Sequence, residues 1–203
     1  MPEPRSFNNT LLLVAPLAVG LFHTGPIHAQ EVSSPRVGVG FVSNAPEQMA
    51  GASAYFVLPV AGGLGLYVDG KWDVDSPSGD VAFDPTLTAA EAEAQIADIQ
   101  QMDLVESWQT FNVALVRPIS PSLMFYAGAG YVRTHPYREY YEPTQEMGRA
   151  GFFWVGSPEE EGSDVNLLVG AMFRITRLLN IQTGFETLPK GFTVGVSLRL
   201  PPQ

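Results

Sequence analysis

Apolar residues alternate with polar or small residues along eight stretches of the chain. In the clearest stretch, residues 191–200, one side of the alternation carries Phe192, Val194, Val196, Leu198 and Leu200, and the other carries Thr193, Gly195, Ser197 and Arg199. A side-chain period of two predicts a β-strand whose two faces meet different surroundings. About ten residues is also the length of a tilted strand that crosses a bilayer. We therefore predict a membrane-spanning strand with its apolar face toward lipid.

The other seven stretches are joined by connections of unequal length. They run from residue 36 to the turn at 44–46 and over residues 52–60, 64–72, 108–118, 123–133, 164–175 and 179–188. Minimal turns at 61–63, 120–122 and 176–177 alternate with two long connections, 73–106 and 135–163. Alternation of short turns with long loops is typical of a membrane barrel with an even number of strands. A sheet within the hydrocarbon of a bilayer must also close, because its edges would otherwise be unpaired. The predicted fold is all-β, an eight-stranded antiparallel up-and-down transmembrane β-barrel.

The two long connections lack a strand pattern. Residues 73–106 contain no Lys or Arg, and within them Thr88 and Glu91 have the spacing of a helix capping box. The apolar residues that follow share one helical face, namely Ala92, Ile96, Ile99 and Met102. We expect an exposed loop with one short amphipathic helix there. We expect a second irregular loop over residues 135–163.

The N-terminus has the layout of a secretory signal peptide. An apolar run from Leu11 to Phe22 follows Arg5 and precedes the small residue Ala29. A buried or anchoring helix is the alternative, although Pro16 interrupts the run. We predict a signal peptide over residues 1–29 and an outer-membrane β-barrel domain over residues 30–203.

Composition narrows the possible classes of protein. The 203 residues suit one domain, and 45% of them are hydrophobic, yet no apolar run reaches the roughly 20 residues of a transmembrane helix. The chain has no cysteine, so disulfides and thiolate metal sites are excluded. A formal net charge of −10 argues against a nucleic-acid partner.

Charge also divides the two predicted rims of the barrel. Most acidic residues fall in the two long connections, whereas five arginines fall at strand ends on the short-turn rim: Arg36, Arg117, Arg174, Arg177 and Arg199. Three large aromatic residues, Trp72, Trp108 and Tyr131, are predicted near the long-loop rim, where membrane barrels carry an aromatic girdle.

With this pattern the chain resembles the small eight-stranded outer-membrane β-barrel proteins of Gram-negative bacteria, which include the membrane domain of outer membrane protein A. The last strand is the most specific element, because Thr193, Gly195, Leu198 and Leu200 are similar to the family's assembly signal, with Leu200 in place of the usual terminal aromatic residue. The resemblance implies location in the cell outer membrane, contact with outer-membrane lipid, and the outer-membrane assembly machinery as a partner during biogenesis. It implies no cofactor and leaves the extracellular ligand unknown.

An eight-stranded barrel is just wide enough to be filled by its own side chains. We predict an inward-facing network of charged residues formed by Asp69, Lys71, Glu186, Arg174 and Arg199, with Lys71 paired to Asp69 or Glu186. Enclosed charges must be paired or hydrated. A filled, structural lumen is therefore favoured over the alternative of a narrow solute channel.

The second long connection is the best candidate for surface binding. Aromatic residues and Arg anchor many interfaces, and this connection contains Tyr137, Arg138, Tyr140, Tyr141, Phe152, Phe153 and Trp154. Packing of these residues on one another, with the strands extended beyond the bilayer, is the equally weighted alternative. The predicted role is thus structural or surface-binding, with long acidic loops facing outward.

Three other functions are weaker alternatives. A lipid A-modifying enzyme would have to use His135, with Glu139 or Glu142 to orient it, and we predict no catalytic residue. A soluble lipocalin-like barrel is suggested only by Gly70-Lys71-Trp72. A divalent cation could bind Asp73, Asp75 and Asp80, but Pro77 breaks the spacing of a calcium loop, and no metal site is predicted.

Overall fold

The computed structural model describes residues 35–58, 63–80, 82–96, 98–143 and 151–200. The predicted signal peptide, residues 1–29, lies outside the described residues, as does most of the predicted turn at 61–63.

Ten strands form one sheet, and eight of them close into an antiparallel barrel. The strands are β1 (Arg36–Ala45), β2 (Met49–Val57), β3 (Gly65–Asp73), β4 (Phe83–Thr88), β5 (Gln100–Ser120), β6 (Leu123–Glu142), β7 (Gly151–Gly156), β8 (Gly162–Arg174), β9 (Leu179–Thr187) and β10 (Lys190–Leu200). The order β6-β5-β3-β2-β1-β10-β9-β8 closes through pairing of β8 with β6. The first and last strands, β1 and β10, pair along nine residues. The predicted fold is confirmed.

The barrel is apolar outside and polar inside. Its exterior exposes large hydrophobic side chains all round, such as Phe41, Phe56, Leu66, Phe111, Val113, Leu115, Val165, Phe173, Ile181, Phe192, Val194, Val196, Leu198 and Leu200. Its interior buries polar ones, such as Ser53, Asp69, Lys71, Thr110, Asn112, Asn166, Asn180, Gln182, Glu186, Thr193 and Ser197. This arrangement is that of a transmembrane barrel, because lipid is as apolar as a protein core and only the lumen can hold polar groups.

Two barrel strands continue well beyond the length a bilayer needs. β5 has 21 residues and β6 has 20, and their pairing continues to Gln100 opposite Tyr141. On the long-loop side, β7 adds to β6, and β4 adds to β7 in parallel. We call this four-stranded sheet the extension; it is formed by residues 83–88, 100–108, 134–142 and 151–156.

The extension corrects the prediction that residues 135–163 and 73–106 are largely irregular. Pairing between β5 and β6 continues into both regions. The first connection therefore contains β4 and the start of β5, and the second contains the end of β6 and the whole of β7. The alternation was missed because both faces carry large side chains, as at Tyr140 and Tyr141. Trp108 also differs from expectation, since it lies within β5 on the face of Thr110 instead of at a strand end.

The predicted short helix is present as α1 (Ala89–Gln95). Its capping box is confirmed: the Thr88 hydroxyl accepts a hydrogen bond from the Glu91 amide at 3.2 Å, and the Glu91 carboxylate accepts one from the Thr88 amide at 2.9 Å. The helix ends earlier than its apolar pattern suggests, so Met102 lies in β5 and is exposed. No helix in the described part of the chain is long and apolar enough to cross a membrane.

Candidate functional site

The lumen contains a buried ion cluster in its long-loop half. Lys71 on β3 donates hydrogen bonds to Asp69 at 2.5 Å and to Glu186 at 2.6 Å, and all three side chains are almost fully buried. The amide of Asn112 donates to both carboxylates at 2.9 and 3.0 Å, and Asn44 donates to Glu186 at 2.9 Å. Two carboxylates thus share one ammonium group and two amide donors, which is how buried charges are made tolerable.

The cluster is connected to the barrel wall by a further set of amide contacts. Asn166 donates to the side-chain oxygen of Asn112 at 2.9 Å. The carbonyl oxygen of the Asn166 side chain accepts from the backbone amides of Thr187 and Leu188, at the turn between β9 and β10. The network therefore fixes a turn on the long-loop rim as well as the lumen.

A second layer of the lumen is apolar and aromatic. The rings of Tyr67 and Tyr126 stack with centroids 4.6 Å apart. Tyr126 has room because Gly170 faces it: a methyl group there would lie 2.3 Å from the Tyr126 ring. Met124 and Met172 extend this layer toward the short-turn end. The lumen is thus filled by side chains through much of its length.

The predicted five-residue charge network is not one network. Asp69, Lys71 and Glu186 come together, but Arg174 and Arg199 line a recess at the opposite, short-turn mouth. Along β9, Glu186 lies six residues from Asn180, the partner of Arg174, which is about 20 Å at 3.3 Å per residue. Strand alternation predicted the face of each residue correctly, but it does not predict the height at which each lies.

The extension separates the aromatic residues proposed for surface binding into two faces. Tyr140 and Phe153 lie on the lumen side, where they pack with Ala92, Ile96 and Val155 under helix α1. The other four aromatic residues lie on the outward side, as does Phe83 of β4; we call these five the aromatic face: Phe83, Tyr137, Tyr141, Phe152 and Trp154.

Contacts within the aromatic face are edge-on or tilted. The rings of Phe83 and Tyr137 meet edge to face at 5.7 Å, and those of Tyr141 and Phe152 lie 5.0 Å apart. Phe152 remains 56% exposed. Two of the six predicted aromatic residues therefore pack under the helix, and the other four lie on the outward surface together with Phe83.

Arg138 holds the helix on the extension. Its guanidinium contacts Glu93 of α1 at 3.1 Å, Gln101 of β5 at 3.0 Å, and Glu160. The hydroxyl of Tyr140 donates to the same Glu93 carboxylate at 2.6 Å. Arg138 thus has carboxylate partners within the fold and serves as a structural connection.

His135, the residue on which an enzyme would depend, lies beside Glu161 on the outward side. Its Nδ1 lies 2.9 Å from Glu161, whose carboxylate also accepts from Arg133 at 2.6 Å. These two hydrogen bonds lower the pKa of Glu161. The two carboxylates that the sequence suggested lie elsewhere: Glu142 is on the opposite face of β6, and Glu139 is four residues away. His135 and Arg133 thus share one carboxylate.

The acidic start of the first long connection forms local turns. Asp73 accepts a hydrogen bond from the backbone amide of Asp75 at 3.0 Å, and Asp80 accepts one from that of Ala82 at 2.9 Å. Among the described residues, no three His, Cys, Asp or Glu side chains are grouped so that they could hold a metal ion. These carboxylates cap backbone turns in the way typical of Asp.

The residues of the predicted assembly signal lie on both faces of β10. Thr193 and Gly195 face the lumen, and Leu198 and Leu200 face outward with the rest of the apolar belt. Each of them therefore has a place in the folded barrel, and their role as a signal stays a prediction.

Comparison with known proteins yields similar structures but no similar sequences. No protein-family model matches the chain, and no curated protein matches it. The crystal structure of Ail, the attachment invasion locus protein of Yersinia pestis, in complex with the heparin analogue sucrose octasulfate has a TM-score of 0.44 at 8% identity, over 82% of this chain and 98% of that one.

Two further structures are similar to the same degree. A de novo designed transmembrane β-barrel has a TM-score of 0.40 at 12% identity, over 84% of this chain and 98% of that one. Ail from Yersinia pestis in a phospholipid bilayer nanodisc has 0.39 at 12% identity, over 82% and 99%. At these identities and scores the similarity is one of barrel shape alone.

Proposed function

We propose that the chain is an integral protein of the cell outer membrane of a Gram-negative bacterium, with a structural or surface-binding role. The observation that carries the proposal is the reversed polarity of the barrel. A soluble barrel would not expose an unbroken belt of large apolar side chains around a polar, ion-containing lumen. Such a belt is stable in contact with lipid, and a closed barrel is the β-structure that can span a bilayer because all its backbone groups are paired.

The same proposal places the extension outside the cell and the short-turn rim in the periplasm. Outer-membrane barrels have short periplasmic turns and longer extracellular loops. In this chain the two long connections lie on one rim, and the turns at 121–122 and 175–178 lie on the other. The acidic residues of the long connections, including Asp75, Asp80 and Glu159, would then face the medium.

Single-cysteine labelling tests location and orientation together, because the chain has no cysteine of its own. Ser78→Cys places a thiol on the long-loop rim, Ser120→Cys places one on the short-turn rim, and both positions are exposed. A membrane-impermeant maleimide added to intact cells should label Ser78→Cys and leave Ser120→Cys unlabelled until the outer membrane is permeabilised. Labelling of both in intact cells, or recovery of the protein in the soluble periplasmic fraction, would contradict the proposal.

The surface-binding part of the proposal rests on the aromatic face. Rigid aromatic side chains are frequent interface anchors because they bury a large area and lose little conformational entropy. The face is supported from behind by α1, so its residues are held on an ordered sheet. The acidic surroundings favour a neutral or cationic partner over a polyanion.

The surface-binding part of the proposal can be tested with cells that display the protein, by measuring how much of a purified glycan or matrix protein they retain. We expect Phe152→Ala combined with Trp154→Ala to lose at least tenfold in retention of a probe that the wild type holds. Val74→Ala, an exposed apolar residue of the same rim, is the control and should retain the probe. Equal retention by the double variant, with equal display at the surface, would exclude the aromatic face.

The filled lumen favours a structural barrel over a solute channel. The ion cluster and the stacked Tyr67 and Tyr126 both lie across the path that a solute would take. Purified protein in planar bilayers should therefore give no steady conductance. A sustained open level would support the channel instead.

A further inference from the structure

Three arginine side chains converge at the short-turn mouth of the barrel. Arg36 begins β1, Arg174 ends β8, and Arg199 is the next-to-last residue of β10. Arg36 is paired with Val57 and Arg174 with Asn180, both of which are buried in the lumen. All three arginines line one recess, which we call the arginine mouth.

No carboxylate neutralises this cluster within the described part of the chain. None of the ion pairs found there involves Arg36, Arg174 or Arg199. Arg174 donates one long hydrogen bond to the hydroxyl of Ser122 at 3.5 Å. Arg199 and Arg174 are both close enough to Arg36 for their charges to repel it. Like charges in a half-enclosed site oppose one another unless an anion lies between them.

The arginine mouth also contains neutral donors and space. The recess is small and partly open to solvent, and Tyr55 and Asn180 form part of its lining. The side-chain amide of Asn180 donates to the Tyr55 hydroxyl at 2.7 Å, so the phenol proton of Tyr55 can be donated to another acceptor. Guanidinium and phenol donors thus face the same small volume.

We propose that the arginine mouth binds a small oxyanion of the phosphate class. Guanidinium groups stay charged and match phosphate oxygens with two parallel hydrogen bonds each. The recess is open to solvent, so a small anion can approach the guanidinium groups from the mouth, and it is too small for a folded partner. Because β1 and β10 pair to close the barrel, an anion shared by Arg36 and Arg199 would brace the seam between the first and last strands, and Arg174 would connect β8 to it.

Thermal unfolding of the folded protein in a maltoside detergent, which carries no phosphate, tests the proposal. Inorganic phosphate is expected to raise the unfolding midpoint in a saturable way, by about 3–6 °C at a tenfold excess over its Kd. Sodium chloride at the same ionic strength should give no comparable rise. Equal effects of phosphate and chloride would mean general charge screening and would overturn the proposal.

Single substitutions test whether the rise in unfolding midpoint with phosphate comes from the arginine mouth. Arg36→Gln, Arg174→Gln and Arg199→Gln should each require at least about tenfold more phosphate for the same shift. Arg177→Gln is the matched control, because Arg177 is exposed on the same rim and does not line the recess. Equal loss of the phosphate response in Arg177→Gln and Arg36→Gln would overturn the site. In phosphate-free buffer Arg36→Gln should unfold no earlier than the wild type, since a repulsion is removed, so a lost response is not lost folding.

Unfolding measurements in lipid vesicles identify the source of the phosphate group. Protein reconstituted without free phosphate should have the same midpoint in phosphatidylcholine vesicles and in vesicles containing phosphatidylglycerol, if the ligand is a free oxyanion. A higher midpoint in phosphatidylglycerol that is abolished by Arg36→Gln would assign the phosphate to a lipid headgroup. No response to free phosphate or to either vesicle would overturn the proposal.

Discussion

Lys71 and Glu186 lie on opposite walls of the barrel, and their side chains meet across the lumen at 2.6 Å. Four strand steps separate β3 from β9 in either direction around the eight strands, so this ion pair spans the full diameter. Asp69 binds the same ammonium group and lies on the same strand as Lys71. The contact therefore links β3 and β9, two strands that do not pair with each other.

Removing the cation should destabilise the barrel more than an ordinary core substitution. Lys71→Met keeps most of the side-chain volume but leaves Asp69 and Glu186 as buried carboxylates without a counter-charge. Loss of one member of a buried ion pair typically costs about 3–5 kcal/mol. The free energy of unfolding, measured by urea titration of the protein in detergent micelles, should fall by about this amount.

A triple variant without the three charges tests whether unpaired charge causes the loss of stability in Lys71→Met. Lys71→Met with Asp69→Asn and Glu186→Gln removes all three charges and keeps amide groups near Asn112 and Asn44. Because a buried ion cluster can often be replaced at little net cost, this variant should recover most of the lost stability. A triple variant as unstable as Lys71→Met alone would show that volume or hydrogen-bond geometry is the cause.

Glycine at position 170 is expected to be needed for the aromatic layer. A Cβ atom there would lie 2.3 Å from the Tyr126 ring and 2.4 Å from the carbonyl oxygen of Thr183, and neither a ring nor a backbone can move cheaply. Gly170→Ala should lower the free energy of unfolding by about 1–3 kcal/mol. Gly70→Ala in β3 is the control, because the atom nearest to its Cβ would be 3.8 Å away. Equal losses in the two variants would refute the steric explanation.

The alternation of the sequence was enough to predict the eight barrel strands and the face on which their side chains lie. Period two fixes the face, and the loop rhythm fixes the topology, so Tyr67, Asp69 and Lys71 could be placed in the lumen without a structure. Contact across the lumen also depends on the stagger between strands. Arg174 and Arg199 lie at the short-turn ends of their strands, which separates them from the cluster around Lys71.

The extension could not be predicted because its two faces are both filled. On β6, Tyr140 is buried under α1 while Tyr141 packs on Phe152, so the apolar pattern shows no period. Three of the seven proposed binding residues, Arg138, Tyr140 and Phe153, have a structural role that only tertiary contacts reveal. The spacing of Thr88 and Glu91 was sufficient to predict the start of the helix, because a capping box is a local interaction.

Helix α1 should be removable from the extension without loss of the barrel. Ala92 is fully buried on the inner face of the helix. Ala92→Glu therefore places a charge in an apolar contact and should release the helix from the extension. Limited proteolysis should then cleave within residues 74–99 at least tenfold faster, while the heat-modifiable gel shift of the barrel is unchanged. Ala94→Glu, on the exposed side of the same helix, should be cleaved like the wild type. Loss of the gel shift in Ala92→Glu would mean that the helix and barrel fold as one unit.

The phenol of Tyr140 should make the extension sensitive to high pH. Burial, and next the hydrogen bond to Glu93, raise the pKa of Tyr140 from 10.0 to about 12. In the unfolded chain the phenol ionises near its ordinary value, so the stabilising contribution is complete below pH 10 and is lost as pH rises toward 12. The difference in absorbance at 295 nm between the wild type and Tyr140→Phe isolates this one group.

Glu93→Gln separates the two causes of that shift. Burial of Tyr140 is retained in this variant, but the charged acceptor that favours the neutral phenol is replaced by a neutral amide. The pKa of Tyr140 should therefore fall below the wild-type value and stay above 10, since burial is the larger cause. The same variant weakens the contact of Arg138 with α1, so cleavage within residues 74–99 should accelerate in parallel. A pKa that stays at about 12 would mean that burial alone raises it, and a wild-type cleavage rate would mean that Glu93 does not hold the helix.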